Sequence, residues 1–247
     1  GALRTSLALL CAAGLGALAA VLATTRSSPP TQLRARASRV LVTGFGPFDG
    51  FTTNPSELVA RNLNGSCSGS FCVESIVLPV DHAGASLPAR LITDGSWDAV
   101  VHLGLEDESK GLRLELVAAN VAASEVGGGA WNVNVPCNKA NTSWRYIRET
   151  GPCLLATTAP LDAVEMPLLR ARAEPREIWS RDAGAFYCNE VYYRSLYEVR
   201  RGLVPPANGQ QELLPVIFVH LPSPKVSTEL ESADFVRAVA ASLVAGA

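Results

Sequence analysis

From residue 39 onward, short apolar runs alternate along the chain with stretches of helical spacing. RVLVTGFGPF (39–48) reads as a Val/Leu strand entering a Gly/Pro turn. PSELVARNL (55–63) sets Leu58, Val59 and Leu63 on one helix face, with Ser56 near its start. CVESIVLPV (72–80) alternates as a strand does, and AGASLPARLI (83–92) reads as a helix interrupted or entered by Pro88. DAVVHLGL (98–105) is a buried strand, and LRLELVAANV (112–121) reads as another. Residues 124–160 are irregular and rich in Gly, Asn, Thr and Pro. Residues 183–201 read as helix, LPVIFVHL (214–221) as a buried strand, and SADFVRAVAASLVAGA (232–247) as a closing amphipathic helix.

Apolar strands alternating with helices imply an α/β domain, residues 39–247, whose mostly parallel central sheet is covered by helices on both faces. Ligands of such sheets bind beyond the carboxyl ends of the strands. The Gly44–Phe48 turn, the HLGLEDES loop (102–109) and His220 all fall at such ends.

Residues 1–38 follow a different pattern. Leu7–Ala23 carries no charge, with Arg4 before it and Arg26 after it. Its length is at the lower edge of the ~17–25 residues a membrane helix needs, and it also suits a secretory apolar core. TTRSSPPTQLRARAS (24–38) reads as a linker. The segment is expected to be a signal peptide, a signal anchor or an organelle-targeting leader, the anchor form attaching the protein to a membrane through residues 7–23.

The net charge of -2 and the lack of a basic patch with interleaved aromatics exclude a nucleic-acid partner. Among the six cysteines, Cys67 and Cys72 stand close together, Cys137 and Cys153 bracket a short segment, Cys11 lies in the apolar leader and Cys188 is left over. Two local pairs and one odd thiol suit an oxidising compartment. Asn64 and Asn141 open glycosylation sequons beside these pairs. With the leader they favour the secretory pathway. No cysteine or histidine cluster has zinc spacing, so neither a metal nor a cofactor is expected.

GFGPFDG (44–50) departs from a dinucleotide fingerprint, because Asp49 stands where a third glycine is needed and Pro47 intrudes. Two aromatics on that turn, Phe45 and Phe48, suggest a stacking pocket for a flat, uncharged group. In RDAGAFYCNEVYYRSL (181–196), Gly184 permits a sharp turn, and Cys188, Tyr192, Leu196 and Val199 fall on one helix face. A lone cysteine is usually buried filler. On the first turn of a helix, however, its thiolate is stabilised and becomes a competent nucleophile. A base must accompany it. His82 opens a helix and His102 lies within a strand, while His220 ends one, which delivers its ring to the rim. Glu106, Asp107, Glu108 and Glu115 are candidates for a carboxylate to orient the imidazole. Glu115, between Leu114 and Leu116, is the one expected to be buried, and a buried carboxylate needs a partner.

Four blocks, VLVTGFGPFDGFTTNPS, HLGLEDESKGLRLELVAANV, DAGAFYCNEVYYRSL and IFVHLP, occur in an order and spacing that resemble pyroglutamyl peptidase I, also called pyrrolidone carboxyl peptidase, a family of cysteine peptidases. The resemblance covers residues 39–240. It implies a single α/β domain that removes an amino-terminal pyroglutamyl residue from peptides, without a cofactor, through a Glu-Cys-His triad. By this likeness Cys188 matches the nucleophile, His220 the base and Glu115 the carboxylate. Phe45 and Phe48 match the aromatics that hold the substrate ring, and Asn54 a polar residue near that pocket. The loop LEDESKG lacks the Gln and Arg that some bacterial members carry, and the family is usually cytosolic. A non-catalytic peptide-binding protein, or a different thiol amidase on the same fold, is the rival reading.

Overall fold

A computed structural model describes residues 36–48, 50–94, 96–123, 144–164, 178–204 and 213–245. Four long strands form the centre of the sheet: β1 (Ser38–Phe45), β3 (Phe71–Leu78), β4 (Ala99–Leu105) and β11 (Val216–Leu221). The short strands are β2 (Cys67–Ser68), β5 (Arg113–Glu115), β6 (Val117–Ala119), β7 (Ala122–Ala123), β8 (Trp144–Arg145), β9 (Leu154–Ala156) and β10 (Trp179–Ser180). Among the described residues the main sheet runs β10-β5-β11-β4-β1-β3-β2. The contacts β3–β1–β4–β11 are all parallel, whereas β5 runs antiparallel to β11 and β2 antiparallel to β3.

The helices are α1 (Pro55–Leu63), α2 (His82–Leu91), α3 (Tyr187–Arg200) and α4 (Glu229–Ala245). Side chains alternate across a strand, so each strand feeds two cores. On one face Val40, Val42, Ile217 and Val219 pack with Val59 and Leu63 of α1 and Val236 and Val239 of α4. On the other, Leu41, Val100, Val216 and Phe218 pack with Ala85 of α2 and Tyr192 and Leu196 of α3. This is the expected α/β architecture.

Four local expectations change. LRLELVAANV is not one strand, because β5 joins the main sheet while β6 turns away to pair with β9. Leu116 marks the break, its N–H donating to the Ser180 carbonyl. Residues 183–186 are not helical. The Asp182 side chain accepts the Gly184 N–H, Gly184 sits at φ 76, and α3 starts only at Tyr187. The closing helix starts three residues early, at Glu229, because Thr228 and Glu231 form a reciprocal capping box. Pro88 lies inside α2 without ending it. Cys67 and Cys72 are joined as a disulfide across the β2–β3 pairing. Cys137, Asn141 and the apolar segment Leu7–Ala23 lie outside the described residues. Among the described residues no helix is long and apolar enough to cross a membrane.

His102 is fully buried between Thr43 Oγ1 (2.8 Å from Nδ1) and Ser195 Oγ (3.0 Å from Nε2), tying β1 and β4 to α3. Burial pushes its ring down to about 3 from 6.5. Below pH 6.5 the unfolded chain therefore takes up a proton that the folded chain refuses. The stability this site contributes is whole above pH 6.5 and fades as pH falls toward 3, by about 1.4 kcal/mol per pH unit. The acid-side slope of Tm against pH is expected to be shallower in His102→Gln than in the wild type, and equal slopes would exclude this origin.

Candidate active site

The two-residue period of the strands decides which side chains meet. Phe218 faces α3, so His220, two residues on, does too. Leu114 faces the other core, which sends Arg113 and Glu115 toward α3. Leu41 and Phe45 share the α3 face, as do Val100, His102 and Gly104. Registry then brings these residues level. His220 stands beside Gly104 on β4 and opposite Arg113 on β5.

Cys188 is the second residue of α3 and packs, partly buried, with Tyr187 on this layer. Phe186, at the N-cap, supplies no side-chain cap, so the first N–H groups of α3 are not taken up by one. Asn189 holds the helix start in place. Its Oδ1 accepts from Ala119 N–H and its Nδ2 donates to the carbonyls of Ala119 and Val121, each at 2.8 Å. Tyr192 donates to the Glu115 carbonyl at 2.9 Å, which couples the same helix to the strand carrying the carboxylate.

Glu115 is fully buried and meets His220 Nδ1 through Oε1 at 2.8 Å. Cys188 Sγ lies against Gly104, the β4 partner of His220, and so comes near enough to act on the ring. Burial works against charge on this imidazole, but the interactions with Cys188 and Glu115 outweigh it and hold the ring up to about 10. Cys188, His220 and Glu115, picked out separately in the sequence, thus form one connected row. An imidazole so placed can relieve a thiol of its proton and later return one to a leaving group.

Sequence reasoning missed Gly104. A Cβ there would come within 2.6 Å of Cys188 Sγ and 2.7 Å of Phe218 Cζ. The backbone of β4 is therefore the floor on which the sulfur rests. Gly104→Ala is expected to displace the sulfur and to lower kcat/KM roughly 10–100-fold, since shifts of an ångström carry penalties of that size. The comparison to make is kcat/KM against Tm, and unchanged activity would show the sulfur free to move.

The aromatic turn is placed less simply. Phe45 is buried on the α3 layer, while Phe48 is half-buried and pairs with Phe51, ring centroids 5.4 Å apart. Phe51 was not among the sequence candidates, although it follows Phe48 across a tight turn closed by its N–H to the Phe48 carbonyl. Asn54 is buried and serves the turn itself. Its Oδ1 caps α1 at Ser56 N and accepts the Ser56 hydroxyl, and its Nδ2 donates to the Gly46 carbonyl. Such a cap contributes about 1 kcal/mol. Ser56 Oγ in turn accepts the Phe45 N–H at 3.0 Å. Asn54 thus shapes the Phe45–Gly46 backbone. His82, at the start of α2, pairs with buried Glu190 at 2.8 Å, away from the Glu115–His220 pair.

Known proteins resemble this chain in sequence and in fold. The family description "Pyroglutamyl peptidase" matches residues 38–242. The pyrrolidone-carboxylate peptidase of Clavibacter michiganensis subsp. michiganensis is 30% identical over 188 residues, 74% of this chain and 78% of that protein. That of Coprothermobacter proteolyticus is 31% identical, over 75% of this chain and 81% of its own. Among solved structures, the pyrrolidone carboxyl peptidase from Thermococcus litoralis superposes with a TM-score of 0.68 at 21% identity, covering 84% of this chain and 94% of that one. Pyroglutamyl peptidase I from Bacillus amyloliquefaciens gives 0.65 at 22% identity, covering 84% and 95%. At those identities the superpositions speak for the fold alone.

Proposed function

Since this chain belongs to the pyroglutamyl peptidase family, we infer that it is a cysteine peptidase hydrolysing the bond after an amino-terminal pyroglutamyl residue, with Cys188 as nucleophile, His220 as base and Glu115 as its orienting carboxylate. The observation that carries the reading is His220 bonded to Glu115 at 2.8 Å with the Cys188 sulfur against the neighbouring Gly104.

The Cys188 thiolate attacks the pyroglutamyl carbonyl carbon, forming a C–S bond and an oxyanion. The N–H of Cys188, at the opening of α3, is a donor for that oxyanion, and a donor of this kind is worth roughly 2.7–4 kcal/mol. The C–N bond breaks as the His220 imidazolium protonates the departing amine. Water then attacks the thioester, His220 takes its proton, and pyroglutamate leaves as the thiolate is restored. Glu115 keeps the Nδ1 proton in place, so that Nε2 faces the sulfur. Phe45 and Phe48 supply apolar surface for the uncharged lactam ring, and Asn54 keeps their turn in shape. The lactam has no ammonium group, so the pocket needs no counter-charge.

Turnover of a pyroglutamyl-coumarin reporter, set against glutamyl- and prolyl-coumarin, is the test. Release from the first alone is expected. Equal release from all three would favour a different thiol amidase, and no release at all the peptide-binding reading.

For the segment before the domain we propose a secretory leader or anchor over residues 1–38, membrane attachment by residues 7–23 being the anchored form. The Cys67–Cys72 disulfide and the exposed sequon at Asn64, which ends α1, support an oxidising compartment. A fluorescent fusion of the full chain is expected to enter the secretory pathway and to shift on glycosidase treatment. An unshifted cytosolic product would refute this.

A further inference from the structure

We propose that Glu106, held by Arg113, is a second acidic positioning residue for the base, and that the two opposite charges together set how tightly His220 holds its proton. The proposal rests on the assignment of His220 as that base.

Glu106 follows β4 directly, and the alternation 102, 104, 106 sends its side chain to the α3 face. Its N–H donates to the Leu221 carbonyl at 2.9 Å, which continues the β4–β11 ladder one step past the His220–Gly104 pair. The Glu106 and Glu115 carboxylates and a ring nitrogen of His220 lie within 4.8 Å of one another. Arg113, opposite His220 in the β5–β11 register, donates through Nη1 to Glu106 Oε1 at 2.8 Å. The second oxygens of Glu106 and of Glu115 are both buried without a hydrogen-bond partner among the described residues. Two carboxylates with idle oxygens therefore crowd one imidazole, and a single guanidinium offsets one of them.

Glu115 already occupies Nδ1, so Glu106 acts through its field rather than a bond. Among the described residues, the other charged or titratable groups acting on the ring are Cys188 on α3 and Glu115 on β5. Tyr192, also on α3, donates to the Glu115 backbone carbonyl and stays neutral, burial raising its hydroxyl. Helices α1 and α4 pack on the opposite face of the sheet. Removing the negative charge of Glu106 leaves Arg113 to repel the imidazolium. Removing Arg113 leaves Glu106 unmoderated. The two changes pull the ring in opposite directions, whereas a residue that merely braces the loop would give losses of the same kind.

The experiment compares pH profiles of kcat/KM for the wild type, Glu106→Gln and Arg113→Gln with a pyroglutamyl reporter. The alkaline midpoint is expected to fall by roughly half a pH unit in Glu106→Gln and to rise by a similar amount in Arg113→Gln, a shift reduced from the buried case by partial exposure of the pair. Midpoints that stay put, or move the same way, overturn the proposal. An NMR titration of the His220 C2–H in a Cys188→Ala background should order the three proteins identically without any turnover. A failed activity assay would thus count against the base assignment, and an unordered titration against the role of Glu106.

Discussion

Cys188→Ala is expected to abolish pyroglutamyl release, lowering kcat by at least about 10⁴-fold while leaving Tm near that of the wild type. The sulfur forms and breaks the only covalent bond between enzyme and substrate, and nothing else in the row can replace it. The surviving rate would come from the α3 N–H groups and from binding, a remnant typical of sites that lose a nucleophile. Stability is spared because Cys188 is only partly buried. The fully buried neighbours Val191, Tyr192 and Leu196 carry the packing of α3 instead. The measurement is kcat by reporter assay beside a thermal melt. Retained turnover with an unchanged melting point would reject the nucleophile assignment.

The second large effect is expected at Glu115→Gln, a loss in kcat of about 10³–10⁴-fold. The amide fits the space of the carboxylate but carries no charge, and it can present N–H to Nδ1. His220 would then adopt the tautomer whose Nε2 carries the proton, which cannot accept one from Cys188. The alkaline side of the profile should also move. In the wild type the ring is held up to about 10, so kcat/KM is expected to decline well above the 6.5 of an ordinary imidazole. Without Glu115 one of the interactions opposing burial is gone, and the midpoint is expected to fall toward acid. A Glu115→Gln profile overlying that of the wild type would show that the carboxylate does not govern the base.

The route from sequence to site was open in some places and closed in others. Alternation in VIFVHL is enough to put His220 on the face of Phe218, and the 3.6-residue period puts Cys188 with Tyr192 and Leu196. Those are local facts, carried by side-chain spacing. The capping box at Thr228 and Glu231 was equally local and was overlooked. What spacing cannot carry is register. That His220 stands level with Gly104, and Arg113 opposite His220, depends on how three strands far apart in sequence slide against one another. Gly104 therefore stayed hidden, and Glu106 could not be told from Asp107 and Glu108, though all lie in a loop and strand already under suspicion. Asn54 shows the reverse case. The resemblance makes it a polar residue near a substrate pocket, but its polar atoms turn inward to the chain, which only hydrogen-bond geometry reveals.

The two ends of the sheet have separate duties. Cys72 pairs in register with Arg39 at the start of β1, whereas Phe45 pairs with Leu78 at its finish. Six residues of strand, about 20 Å, divide them. Asn64 closes α1 at the Cys72 end as well. Oxidation or a bulky sugar at that end therefore leaves the thiol chemistry untouched. The edge that carries the disulfide can therefore vary without rebuilding the edge that carries Phe45.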